Sequence, residues 1–246
     1  MFPIRDGVAT RYAPVITWCL IAINCAVFVH ETWLTPADLE EFLGRFALIP
    51  ARYFNSTTGF EPARAPWDFL PFATNMFLHG SWLHLILNMW TLWIFGAAVE
   101  DRLGPSRYLA FYVVTGIAAS VAHAVFNPSS AVPALGASGA IAGVIGCYVR
   151  LFPMARILVL VPVLFLPLFF EIPAAIFAGF WFLMQVMQGT LALLMPSSVG
   201  DVAWWAHVGG FVAGLLLAPV VSRPARKYRR YYADEGVYGL TPLGRR

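Results

Sequence analysis

Charge is what this sequence has least of. Only 12% of its 246 residues are Asp, Glu, Lys or Arg, while 59% are hydrophobic. A water-facing protein needs roughly a quarter of its residues charged, so a soluble globular chain is excluded, and so are a disordered and a collagenous one. Cysteine is scarce as well. Cys19, Cys25 and Cys147 all lie inside apolar runs, and an odd number without loop partners excludes a disulfide framework and leaves them as packing residues. The net charge is only +3. Its placement at the ends of apolar runs points to orientation in a lipid bilayer and away from a nucleic-acid partner.

What the sequence has instead is long uncharged stretches. A crossing of the roughly 30 Å hydrocarbon layer takes about 20 apolar residues. Six candidates meet or approach this: Pro14 to Trp33, Trp82 to Val99, Tyr108 to Phe126, Ser138 to Val149, Ile172 to Met195 and Val202 to Val221. The first lacks a small-residue cleavage site after its apolar run and reads as an uncleaved helix. The fourth is short. An all-α membrane protein follows, with a six-transmembrane-helix domain over 14–222, a segment 1–13 before it and a basic tail 223–246 after it. The long loop at 34–81 holds Phe42, Phe46, Tyr53 and Trp67, enough aromatics to predict that it packs down on something, such as the membrane surface.

Ile157 to Phe170 is apolar, but it is only about a dozen residues long and is broken by Pro162 and Pro167. As a true span it would turn the tail residues Arg223, Arg226, Lys227, Arg229, Arg230, Arg245 and Arg246 outward. With six spans those residues join Arg5, Arg11, Arg102, Arg107, Arg150 and Arg156 on the cytoplasmic side, leaving Arg45, Arg52 and Arg64 outside. The segment is therefore predicted to be interfacial or re-entrant, with both termini cytoplasmic. The start of the chain carries no evident targeting extension, which suits a bacterial cell (inner) membrane.

Chemistry concentrates where the fourth span begins, at Gly136-Ala137-Ser138-Gly139. From Ser138 to Val149 a helix rises only about 18 Å, so one rooted at the cytoplasmic face leaves Ser138 submerged. The irregular loop feeding it is then tolerated only under protein cover or beside a water-filled cavity. The last span opens Trp204-Trp205-Ala206-His207-Val208-Gly209-Gly210, placing His207 at a similar depth. Gly139 and Gly143 repeat at four, as do Ala206, Gly210 and Gly214, and such small-residue faces let helix backbones approach closely. An imidazole within reach of a serine hydroxyl can take its proton as the oxygen attacks a carbonyl, so Ser138 and His207 form a candidate dyad. Glu171 and Asp201 are the nearest carboxylates to serve as a third member, both poorly placed. Backbone N–H groups at the start of the fourth helix can stabilise an oxyanion. His84 and Asn88, one turn apart on the second span, can donate to it as well.

Each residue also has a plainer reading. Ser138 can cap its helix, His207 can bond a carbonyl, Asn88 can bind helices together, and the glycines can simply pack. A metal held by His79, His84 and His207 lacks the Glu of a zinc-type helix motif, so neither metal nor cofactor is expected. The Gly-x-Ser-x-Gly elbow of soluble hydrolases is absent.

Several motifs in order resemble the rhomboid family of intramembrane serine proteases. They are Phe77-Leu78-His79-Gly80 with His84 and Asn88, Val99-Glu100-Asp101-Arg102-Leu103-Gly104, Gly136-Ala137-Ser138-Gly139, Glu171-Ile172-Pro173-Ala174 and Ala206-His207-Val208-Gly209-Gly210. The resemblance implies a six-helix rhomboid-like bundle whose short fourth helix starts at the nucleophile. It also implies Ser138 as nucleophile, His207 as general base and then acid, and His84, Asn88 and the Ser138 amide as oxyanion donors. The implied substrates are single-span membrane proteins that reach the site sideways from lipid, with Phe177, Phe180, Trp181 and Phe182 lining the gate. Two positions depart from the family pattern. Many members carry a tyrosine that stacks on the catalytic histidine where this chain has Ala142, which leaves open what orients His207, another aromatic being one candidate, and the Trp-Arg dipeptide of the first loop is missing. A proteolytically silent relative that binds membrane proteins and a small-solute transporter are the competing readings.

Overall fold

The structure is a computed structural model that describes residues 2–54, 65–163, 165–195 and 202–222. Asp201, Arg64 and the basic tail lie outside the described residues. The chain begins with strand β1 (Phe2–Asp6), followed by α1 (Val15–Trp33), α2 (Pro36–Phe46) and the single turns α3 (Ala51–Phe54) and α4 (Pro71–Thr74). Then come α5 (Trp82–Leu103), α6 (Pro105–Phe126), α7 (Ser138–Leu151), β2 (Arg156–Val163), β3 (Leu166–Pro173), α8 (Ala174–Leu194) and α9 (Trp204–Val221). Helices α1, α5, α6, α8 and α9 are long and apolar enough to cross a membrane, while α7 has only 14 residues, about 21 Å of rise. This is an integral membrane protein, mostly helical, with the six helices expected.

The second span runs one turn past its expected end, through Glu100, Asp101 and Arg102. Those carboxylates have a structural task. Glu100 accepts from the backbone N–H groups of Ile16 and Thr17 at 2.9 and 2.8 Å and from the Thr17 hydroxyl at 2.8 Å. Asp101 accepts from the N–H groups of Arg11 and Tyr12. The start of α1 thereby gains negative charge where its dipole and unpaired donors favour it. Gly104, at φ 83°, closes α5 and opens α6 in one residue, a backbone conformation that suits glycine.

At the centre stands α7. Every residue from Gly139 to Tyr148 is buried. A Cβ at Gly210 of α9 would fall on the Gly139 carbonyl, and one at Gly214 on the Gly143 carbonyl. The glycines of α7 are divided between two neighbours: a Cβ at Gly146 would fall on the Phe211 carbonyl of α9. A Cβ at Gly139 would meet that of Ala119 at 2.6 Å, and one at Gly143 would meet the Thr115 hydroxyl at 2.6 Å, both on α6. The two small-residue faces therefore do meet, with Gly210 and Gly214 of α9 on the backbone of Gly139 and Gly143 and a Cβ at Gly139 also 3.6 Å from that of Ala206, while the same α7 glycines admit α6 as well.

The expected interfacial or re-entrant segment is a β-hairpin. Strands β2 and β3 pair antiparallel from Arg156 with Pro173 to Val163 with Leu166, and Pro162 faces Pro167, so two residues without an N–H share one rung. Strand β1 adds to β2, pairing Phe2 with Leu160 and Asp6 with Ile157. The hairpin returns the chain to its starting level, because Ala174 N–H donates to the Ala155 carbonyl at 2.8 Å. It therefore does not count as a crossing. Ile157 and Val159 are buried, whereas Phe169 and Phe170 of β3 are exposed.

The described parts of the 34–81 loop pack as expected, though on protein. Leu48 exchanges both backbone hydrogen bonds with Ala134 at 3.0 and 2.8 Å, and Ala51 N–H reaches the Ser130 carbonyl. Residues 55–64 lie outside the described part.

Overpacking the α7–α9 contact has a clear expected outcome. Gly210→Leu lowers the unfolding free energy by about 1–3 kcal/mol, while Gly179→Leu, where nothing lies within 4 Å of an added Cβ, causes no loss. Equal melting curves for both variants in detergent would contradict the close backbone contact.

Candidate active site

Ser138 is the first residue of α7, and its hydroxyl does not cap the helix. The Ser138 Oγ lies 2.8 Å from Nε2 of His207, which sits in the first turn of α9. Both side chains are half-buried. The capping reading of the serine thus fails: its partner is an imidazole 69 residues away. Nor does any side chain cap α7, so the geometry of a helix start leaves its first N–H groups without intrahelical acceptors beside that hydroxyl.

Three segments deliver the serine. Gly136 adopts φ 122°, a left-handed conformation that favours glycine, and its N–H donates to the Asn75 carbonyl at 2.9 Å. A Cβ there would meet the His84 ring at 2.7 Å and the Asn88 amide at 3.6 Å. His84 and Asn88 therefore press on the backbone two residues before Ser138. A cavity of about 20 Å³, enough for one water, borders Ser138, Gly136, Asn75, Ser120 and His123.

Further contacts hold Asn88 and His84 in place. The Asn88 amide donates to His79 Nε2 at 3.1 Å, and the His79 and His84 rings meet edge to face at 5.1 Å. Burial, reinforced by the neighbouring His84 charge, pushes the His79 imidazole down to about 4. It stays a neutral acceptor for Asn88 at ordinary pH. The His79 N–H in turn donates to the Glu31 carboxylate at 3.2 Å, at the end of α1. His30 packs instead against Phe42, at 5.5 Å between ring centroids.

The other edge of His207 meets α8. Its Nδ1 lies 2.7 Å from Oε1 of Gln185. Trp181, one turn earlier, tilts against the ring at 5.9 Å and 35°, and Trp204 meets it edge-on at 6.2 Å. Among the described residues no carboxylate bonds the ring, and Glu171 lies in β3.

Residues 66–224 match the family model of the rhomboid domain. The chain belongs to the rhomboid family. It is 31% identical over 222 residues to "Rhomboid protein 1, mitochondrial" of Saccharomyces cerevisiae, covering 87% of this chain and 56% of that one. "Rhomboid-like protease 5" of Toxoplasma gondii is 32% identical over 160 residues, 63% of this chain and 16% of the relative. "Rhomboid protease GluP" of Bacillus subtilis is 44% identical over 73 residues, 30% of this chain and 14% of the relative. The chain thus spans about half or less of the length of these rhomboid relatives.

Sequence reasoning missed Gln185, Glu31 and the place of Trp181 in this rhomboid site. A polar residue in an apolar span was the available signal for the first two, the same signal that singled out Asn88. The gate residues also divide. Trp181 faces His207, Phe182 stacks on Phe211 at 4.7 Å, Phe177 stacks on Phe95 at 5.8 Å, and Phe180 is exposed.

Removing the acceptor beneath Asn88 should be measurable. His79→Leu leaves a buried amide unpaired and lowers the unfolding free energy by about 1–3 kcal/mol, whereas His79→Gln, which keeps an acceptor, retains most of it. Wild-type stability in both variants would contradict the acceptor role.

Proposed function

We propose that the chain is an intramembrane serine protease that hydrolyses peptide bonds in or near the transmembrane segments of single-span membrane proteins. The observation that carries this reading is the 2.8 Å contact between the Ser138 hydroxyl and His207 Nε2. That contact supports proton transfer to the imidazole as Ser138 Oγ attacks the scissile carbonyl. The negative oxygen of the tetrahedral intermediate is then stabilised by the amide of Ser138 with His84 and Asn88. Collapse of the intermediate breaks the C–N bond, and His207 returns the proton to the leaving amine. Water then attacks the acyl-serine, with His207 again acting as base, and frees the new carboxylate.

Several features of the molecule support such chemistry below the lipid surface. The central helix, at 14 residues, is too short to cross the bilayer, and the last residues of its feeding loop, Gly136 and Ala137, are buried, with a water-sized cavity beside Gly136. A helical substrate must unwind locally to present a backbone carbonyl, so glycine or proline near the cleaved bond lowers the cost. The arginine distribution favours cytoplasmic termini in a bacterial cell membrane. A reporter at the C-terminus read from outside would contradict that orientation.

The test is cleavage of single-span substrates in proteoliposomes. Wild type is expected to cut; Ser138→Ala and His207→Ala are expected to bind but not cut, and Asn88→Ala is expected to lose about 10² to 10³ in kcat. Binding without cleavage by the wild type would identify a silent rhomboid instead.

A further inference from the structure

We propose that Gln185 is the positioning residue of His207: its neutral amide fixes the imidazole as the Nδ1–H tautomer and aims Nε2 at Ser138. The inference rests on the dyad reading above and deepens it, because that reading leaves open what holds the base in its working form.

The amide's direction decides the tautomer. Gln185 is 6% exposed, and its side chain meets two partners. One is the Trp181 backbone carbonyl, 3.3 Å from Nε2. A carbonyl only accepts, so the NH2 end must face it. Oε1 is then left for His207 Nδ1 at 2.7 Å, and an amide oxygen only accepts. Nδ1 must therefore carry the proton, which puts the lone pair of the neutral ring on Nε2, 2.8 Å from the Ser138 hydroxyl. A flipped amide would donate to Nδ1, leave the Trp181 carbonyl facing an oxygen, and put a proton on Nε2 where the serine needs a base.

A buried glutamine more often serves as helix glue. Here its acceptor atom meets the ring edge opposite the one that faces the serine, and the aromatic packed on that ring comes from the preceding turn of the same helix. One face of α8 thus sets both the tilt of the imidazole, through Trp181, and its proton, through Gln185. Nothing on α7 does this, since position 142 is a buried alanine. The other titratable groups bearing on His207 are His84 and His123, neither of them an anion. An amide supplies orientation without charge, so replacing it by a carboxylate changes the basicity of His207 while keeping the hydrogen bond.

Three measurements on the full chain decide the matter. In proteoliposomes with a single-span substrate, Gln185→Leu is expected to lower kcat about 10- to 100-fold with KM unchanged. Gln185→Glu is expected to retain turnover and to shift the acid limb of the kcat–pH profile upward by about one unit or more. The ring 15N shifts of His207 in the wild type, assigned by their loss in His207→Ala, are expected to show a protonated Nδ1. Wild-type kcat in a folded Gln185→Leu, an unmoved acid limb in Gln185→Glu, or a protonated Nε2 in the wild type would each overturn the proposal. If Gln185→Leu fails to fold, the acid limb and the wild-type spectrum still decide. Ser138→Ala runs beside them: activity surviving in it sinks the dyad reading, whereas activity lost there but unchanged in folded Gln185→Leu sinks only this inference.

Discussion

A backbone carbonyl of α7 occupies the space where a side chain at Gly210 would begin, and the same holds one turn further along at Gly214. Everything at the site depends on that contact. Two helices separated by ordinary side chains lie about 8–10 Å apart, and a serine and a histidine at their ends would not reach each other without a bridge. Removing the side chains from one face lets the α9 backbone settle on the α7 backbone. The first turns of the two helices, which carry Ser138 and His207, then come within direct hydrogen-bonding distance. The missing side chains at Gly139 and Gly143 also admit Ala119 and Thr115 of α6.

From that contact outward the supports are layered. Helix α5 brings His84 and Asn88 against Gly136, His79 holds the Asn88 amide, and Glu31 of α1 holds the His79 backbone. Glu100 caps the start of α1 from the far end of α5 and Asp101 holds the chain just before it, which fixes the helix that bears Glu31. Helix α8 completes the ring from the other side through Gln185 and Trp181. Buried polar groups in a lipid-facing bundle are costly unless paired, and in this chain many of them pair in a direction that leads to the serine.

Much of this was legible in the sequence because the bilayer simplifies the problem. Uncharged runs of known length locate the helices, and the six expected spans match α1 and α5 to α9 within a few residues. Ser138 and His207 stood out as polar residues at the starts of helices with small-residue faces. The sheet was not legible. Its first strand, Phe2–Asp6, pairs with residues about 150 positions away, and the hairpin reads as one apolar block because its strands carry no charge between Ile157 and Phe170. The end of α5 lies beyond the expected one, since Glu100, Asp101 and Arg102 read as a boundary and are in fact helical residues, one of which caps another helix while its neighbour holds the chain before that helix. The third partner of the histidine was sought among carboxylates because soluble triads use them, whereas the bundle supplies a glutamine. A neutral acceptor avoids burying a second charge, which a low-dielectric site would penalise.

The central claim is that Ser138 is reactive because His207 takes its proton, and the most direct test is the reaction of the membrane-embedded protein with a fluorophosphonate. The account expects a single covalent adduct, mapped to Ser138 by mass spectrometry, that forms in the wild type and is suppressed in His207→Ala. Equal labelling in His207→Ala, or an adduct on a different residue, would contradict it.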